Sequence, residues 1–352
     1  MFSWIRKDNN RRNGMERLTK GRKKKTEDEA NELTPLSYEY DKEIPGRSWK
    51  KRGKAIPPKD MARICLYGTV AGDIFGSTRE GVAPKKGVDY RTADMLKYGY
   101  FTDDTVLSVA VFKALARIRD SLSKMPDEDI LSVFSEEYKK AVRKYPNLPY
   151  SERFLDWAYS DLEMAPYESY GDGVTMRATV IGAFLYDRPQ EEVWRIAKLS
   201  AMPSHSHPDA IKAATVTAMM AYLAANGVSK AKVVWYGADF YRWNRINQDR
   251  PRTGKLYVSV DCIKKELLSG SYETNDRACD TAMPLAIKAI SENETFEDCL
   301  RSILGYEGNT ATIMAIAGGI YSILEHRKGV TSKLQGRTLD EIWKTYVKFH
   351  SS

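Results

Sequence analysis

Thr102-Asp103-Asp104-Thr105, running straight into Val106-Leu107-Ser108-Val109-Ala110-Val111, is the stretch on which the fold reading turns. Val106, Val109, Ala110, Lys113, Ala114 and Arg117 recur at roughly helical spacing, and Leu107 and Val111 broaden the apolar face. The pattern predicts a strongly apolar helix beginning beside Asp103. Thr102 can cap it, and acidic residues in the first turn suit the helix dipole. A cap needs one oxygen. Two carboxylates flanked by two hydroxyls supply up to about six hard oxygen donors, which is also what a Mg²⁺ site requires. Both readings stay open on these residues alone.

Outward from this helix the chain repeats the theme. Glu191 to Met202, Ala210 to Ala225, Asp280 to Ile290 and Thr310 to Leu324 carry helical periodicity. Asn226-Gly227 is a stop signal for one of them. Ala62 to Ala71 is apolar and punctuated by Gly68 and Gly72. The best strand candidate is Lys255 to Val260, and strand signals are otherwise sparse. The expectation is an all-α body whose loops carry the chemistry. Ala213-Ala214, Ala224-Ala225 and Gly318-Gly319 permit close helix approach. The aromatic run from Trp235 to Trp243 reads as core, with a recognition surface as the alternative.

Charge divides the chain of 352 residues unevenly. Residues 1–60 hold 17 Lys+Arg and 10 Asp+Glu, a net of +7, which leaves +1 of the total +8 for the rest. A nearly neutral body lacks the basic face of a nucleic-acid binder. Residues 1–60 read as a basic extension and residues 61–352 as the folded domain. In the extension, Lys20 to Lys25 is basic, Glu27 to Glu29 is acidic, and apolar residues are few. It cannot bury enough surface to fold alone. It is either a solvated tail or an arm that orders on a partner, with Tyr38, Tyr40, Ile44 and Trp49 as anchors. No stretch of about eighteen apolar residues is present, so no membrane span is expected. The four cysteines are widely separated and match neither a zinc nor a thioredoxin pattern, which predicts a reduced, cytoplasmic setting.

Four further motifs join the Thr-Asp-Asp-Thr group. Gly72-Asp73-Ile74-Phe75-Gly76-Ser77-Thr78-Arg79-Glu80 reads as a loop bracketed by two acids. Gly171-Asp172-Gly173-Val174-Thr175-Met176-Arg177 leads into a helix, where free N–H groups could meet an anion. Ser204-His205-Ser206-His207-Pro208 precedes a helix starting near Asp209; no third soft ligand lies nearby, which disfavours zinc. Gly308-Asn309-Thr310-Ala311-Thr312-Ile313 heads an apolar helix.

Together and in this order, the five motifs resemble the ADP-ribosylglycohydrolase family, over roughly residues 61–330. The resemblance implies a compact multi-helix globule with a cleft for two Mg²⁺ ions. It implies substrates bearing ADP-ribose on a protein side chain, often arginine. By position, Thr102, Asp103, Asp104 and Thr312 look like metal ligands, and Glu80, Asp103 and Asp104 like the catalytic carboxylates. Asp73, Gly171, Gly173, Met176, His205 and His207 fall on elements that line the ADP-ribose pocket. The family includes immunity proteins against ADP-ribosylating toxins, so the arm could occlude such a toxin. A non-catalytic binding protein or pseudoenzyme on the same fold is the alternative.

The chain departs from the family pattern at the late motif, where two aspartates that bind metal are replaced by Asn309 and Ala311. Two dications about 4 Å apart repel by roughly 17 kcal/mol at an effective dielectric of about 20. With fewer carboxylates to offset that repulsion, one metal is expected to be lost or weakened and hydrolysis to fall. Asp172 stands where many members have asparagine, and its charge is expected to be unhelpful beside a phosphate.

Overall fold

The computed structural model describes residues 55–347, apart from 83–91, 93, 161–166, 168, 247–278 and 307. For 239–246 and 279–281 it describes the backbone alone. Tyr38, Tyr40, Ile44, Trp49 and the candidate strand Lys255 to Val260 lie outside the described residues. Ile56 opens the second of two units into which the chain divides, and every element below belongs to it.

The body is all-α, as expected. Its helices are α1 (Pro58–Ser77), α2 (Asp103–Ile118), α3 (Asp127–Lys144), α4 (Glu152–Tyr159), α5 (Thr175–Phe184) and α6 (Gln190–Ala201). There follow α7 (Pro208–Ala225), α8 (Lys230–Ile246), α9 (Cys279–Glu292), α10 (Phe296–Ile303), α11 (Thr310–Arg327) and α12 (Leu339–Tyr346). A short antiparallel hairpin, β1 (Lys333–Leu334) and β2 (Arg337–Thr338), precedes α12. Gln335 and Gly336 turn it with φ of 50° and 75°, the left-handed pair that a two-residue hairpin loop requires. No described helix is long and apolar enough to cross a membrane.

Burial sorts the helices into an inner and an outer set. Every residue of α5 is buried, as is every residue of α11 from Thr310 to Glu325. Helices apolar on all sides belong in the middle of a domain. On α3, by contrast, Ile130, Phe134, Tyr138 and Val142 recur every four residues as one buried stripe. Its remaining faces are mostly charged, so it closes the outside.

The centre is the crossing of α1 with α11. Gly68, Gly72 and Gly76 form a ridge on α1 that lies directly on the backbone of α11. A Cβ at Gly72 would stand 2.1 Å from the Met314 carbonyl oxygen, and one at Gly68 2.3 Å from that of Gly318. This corrects the reading of Gly72 to Glu80 as a loop. Gly72 to Ser77 are the buried last turns of α1, and only Thr78 to Gly81 turn. The glycines serve helix contact rather than chain reversal. At the far end of α7, Gly227 does reverse the chain, with φ 79°.

Candidate functional site

Asp73 organises the site from beneath. It sits in the penultimate turn of α1 and is fully buried. Its Oδ1 accepts from Thr102 Oγ1 at 2.7 Å, and its Oδ2 accepts from Thr102 N, Thr105 N and Thr105 Oγ1 at 2.8, 3.1 and 2.5 Å. Both threonines of the Thr-Asp-Asp-Thr group are thereby tied to one carboxylate. Asp73, expected to touch ADP-ribose, instead lies behind the pocket wall and holds the start of α2. Thr102 is the predicted cap, accepting from Asp104 N at 3.2 Å. Its hydroxyl also donates to Asp73 and, at 3.1 Å, to Asp104 Oδ2. This hydroxyl, expected on a metal, is engaged in holding carboxylates.

Asp103 and Asp104 then project into a pocket of about 130 Å³. Glu80, Asp172, Asn309 and Thr312 share its wall, so the starts of α2, α5 and α11 meet there. Asp104 is 3% exposed. Its Oδ2 accepts from Thr102 and from Thr312 Oγ1 at 3.2 Å, while its Oδ1 is buried with no hydrogen-bond partner. Burial raises the Asp103 and Asp104 carboxyls well above their ordinary range, and the negative charges of Asp73, Glu80 and Asp172 push the same way. Asn309 Nδ2 donates to Asp172 Oδ2 at 3.0 Å. Ala311 is fully buried and does not line the pocket.

The same pocket also has a cationic and aromatic lining. Arg177 is fully buried, stacks over the Tyr138 ring at 4.3 Å and donates from Nη2 to Ser204 Oγ at 2.9 Å. Its Nε and Nη1 have no hydrogen-bond partner. His205 Nδ1 pairs with Ser204 Oγ at 2.8 Å. Burial, and then the Arg177 charge, lower its pKa well below the usual imidazole range, so His205 is neutral. Tyr150 and Phe154 stack at 5.8 Å in the same lining, and the Tyr150 hydroxyl is buried without a partner. Gly171, Gly173 and Met176 line the pocket. A Cβ at Gly173 would point toward His205 Cε1 and Met176 Cε at 3.8 and 3.9 Å, so glycine leaves that space to a ligand. His207 stays outside and caps α7, its Nδ1 accepting from Asp209 N at 3.2 Å.

The structure therefore brings together Glu80, Asp103, Asp104, Thr312, Asn309, Gly171, Gly173, Met176 and His205 of the expected residues. It sets Asp73, Thr102, Ala311 and His207 apart. Tyr150 and Phe154 were not singled out in the sequence, whereas Arg177 and Ser204 stood within two of its motifs without a role of their own. Arg177 was legible as a charge inside an otherwise apolar helix, but the aromatic pair carried no motif.

The donor set suits a hard cation. Asp104 Oδ1 is a carboxyl oxygen buried with no hydrogen-bond partner, and such a polar group is costly unless a partner comes to it. Asp103, Asp104 and Thr312 are among the groups that would hold a cation. Among the described residues, no three Asp, Glu, His or Cys side chains converge closely enough to enclose an ion as they stand. Binding therefore requires side-chain movement within the pocket.

A sequence profile described as ADP-ribosylglycohydrolase matches residues 55–341. A solved structure titled "ADP-ribosylglycohydrolase-related protein complex" superposes with a TM-score of 0.52 at 18% identity, covering 76% of this chain and 88% of that one. At that identity the likeness concerns the fold. No curated protein matches the chain.

Proposed function

Because the chain belongs to the ADP-ribosylglycohydrolase family, we propose that its pocket removes ADP-ribose from modified protein side chains, arginine foremost, with Mg²⁺ as cofactor. The family is one of metal-dependent hydrolases acting on ADP-ribosylated substrates. The observation that carries the finer reading is the pairing of Asp104 Oδ1 and Arg177 Nε and Nη1. Both residues line one pocket, and these atoms are a carboxyl oxygen and cationic donors buried without partners. A cation-bound diphosphate satisfies both.

Bound Mg²⁺ would supply positive charge that orients the ribose hydroxyls and acidifies a water. The protein's own groups do the rest. Asp103 and Asp104, with Thr312, would hold the cation. Glu80, which lines the pocket after α1, is the carboxylate that takes a proton from the attacking water and passes it to the departing guanidine. Loss of the side chain leaves positive charge on the ribose carbon, which these nearby carboxylates stabilise. Arg177 meets the diphosphate, and Tyr150 and Phe154 offer an apolar wall to the rest of the nucleotide. Asn309 and Ala311 weaken hydrolysis relative to a site with aspartates there.

The test is release of labelled ADP-ribose from an arginine-ADP-ribosylated protein, in Mg²⁺ and in chelator. Slow release confined to Mg²⁺ is expected. Absence of release in both conditions would sink the catalytic reading and leave a binding protein on the same fold, which Asn309 and Ala311 favour. A second role rests on the segregated charge of residues 1–60. That segment is a basic arm that binds and blocks a partner, such as an ADP-ribosylating toxin, and Tyr38, Tyr40, Ile44 and Trp49 anchor it. The free thiols of Cys65 and Cys299 fit a reducing cytoplasm.

A further inference from the structure

Asp172 was expected to be a liability beside a phosphate, and its surroundings assign it another task. It is 6% exposed, opens the turn that leads into α5, and lines the same pocket as Asp103 and Asp104. Its position is fixed. Its carbonyl oxygen accepts from Thr175 Oγ1 at 2.6 Å, and its Oδ2 accepts from Asn309 Nδ2 at 3.0 Å. The pairing also orients Asn309. An amide facing a carboxylate must present its NH₂, so its Oδ1 faces the other way, toward Thr312 N at 3.5 Å. Asn309 is thus neutral, and the charge of the pair sits on Asp172.

We propose that Asp172 supplies the carboxylate that position 309 lacks, so that Asp103, Asp104 and Asp172, which do not enclose an ion as they stand, converge as the cation-binding set of this chain when a cation enters. The independent sign that a ligand belongs there is Asp104 Oδ1, buried, unpartnered and lining the pocket. Among the described residues that line the pocket, Glu80, Asp103, Asp104 and Asp172 are accompanied by one guanidinium, Arg177. Such a wall repels a bare diphosphate and accepts one that arrives with a cation. The turn at Gly171 to Gly173, which glycine content alone points to as an anion cradle, is therefore a cation-bearing element in this protein.

The inference rests on the metal-dependent reading above, and the test separates the two. Mn²⁺ binding to the full chain is measured by calorimetry and by the Mn²⁺ spin-resonance signal. The proteins are the unmodified chain, Asp172→Asn, and the exchanged pair Asp172→Asn with Asn309→Asp. The exchange keeps one amide and one carboxylate across the same hydrogen bond. Asp172→Asn is expected to weaken Mn²⁺ binding at least about tenfold, one carboxylate's share of the attraction. The exchanged pair is expected to recover most of that loss, which no folding defect of the single variant can mimic. Equal Mn²⁺ affinity in Asp172→Asn and the unmodified chain would overturn the role of Asp172 alone. Failure of the exchanged pair to recover the loss would do the same. Absence of Mn²⁺ binding in the unmodified chain would overturn both readings.

Discussion

At the scale of single residues, the site is a set of carboxylates held where water cannot stabilise them. Burial pushes the Asp73 carboxyl from 3.8 up to about 6, against hydrogen bonds from Thr105 and Thr102 that pull it down. Asp103 and Asp104 move the same way, for burial first and neighbouring charge second. A folded state that holds these protons more tightly than the unfolded chain is most favoured at low pH. It loses that advantage as pH rises through the raised values. In chelator, Asp104→Asn should therefore lose less stability than the unmodified protein as pH is raised from about 4 to above 6. Thermal unfolding across that window checks it, and identical pH slopes would show that Asp104 ionises freely. The Thr-Asp-Asp-Thr group was legible because cap, dipole and ligand chemistry share four adjacent residues. Asp73 was not, because the threonines it holds lie 29 and 32 positions away. The hydrogen bond of Asp172 was hidden for a related reason: its partner Asn309 is 137 residues on.

At the scale of elements, glycine spacing decides how the site is assembled. Helix propensity favours alanine over glycine by about 1 kcal/mol inside a helix. At Gly72, however, the new methyl would stand 2.1 Å from the Met314 carbonyl oxygen and 2.5 Å from its carbon. Backbone cannot yield as a side chain does, and overpacking of this kind costs about 1–3 kcal/mol or more. Gly72→Ala is expected to destabilise by about 2 kcal/mol net, read from urea unfolding. A variant as stable as the original would contradict the α1–α11 contact. Helices with unmixed signals were legible in the sequence. Ala210 to Ala225 and Thr310 to Leu324 match α7 and α11 to within a few residues. The last turns of α1 were not, because glycines that admit a neighbouring backbone look like glycines that turn a chain. The hairpin at Lys333 to Thr338 escaped notice because two-residue strands leave no alternation to read.

At the scale of the whole molecule, charge and chemistry are separated along the chain. Net charge of +7 lies in residues 1–60, whereas every described residue that lines the pocket belongs to the body. Removing residues 1–54 should leave Mn²⁺ binding and the unfolding midpoint of the body unchanged. It should abolish capture of a purified ADP-ribosyltransferase domain, and undiminished capture would exclude the arm as the binding element. The body's all-α architecture was legible because most of its helices declare themselves by period. Its family was legible because five modest motifs keep their order. The most direct measurement is single-turnover release of ADP-ribose from an arginine-ADP-ribosylated protein in Mg²⁺, comparing this chain with Asp104→Asn. Release by this chain, slowed at least about a hundredfold by the substitution, is predicted, since a lost charge-stabilising group costs on the order of 3 kcal/mol in the transition state. Equal rates in the two proteins would show that the Asp103–Asp104 pocket is not where the bond is broken.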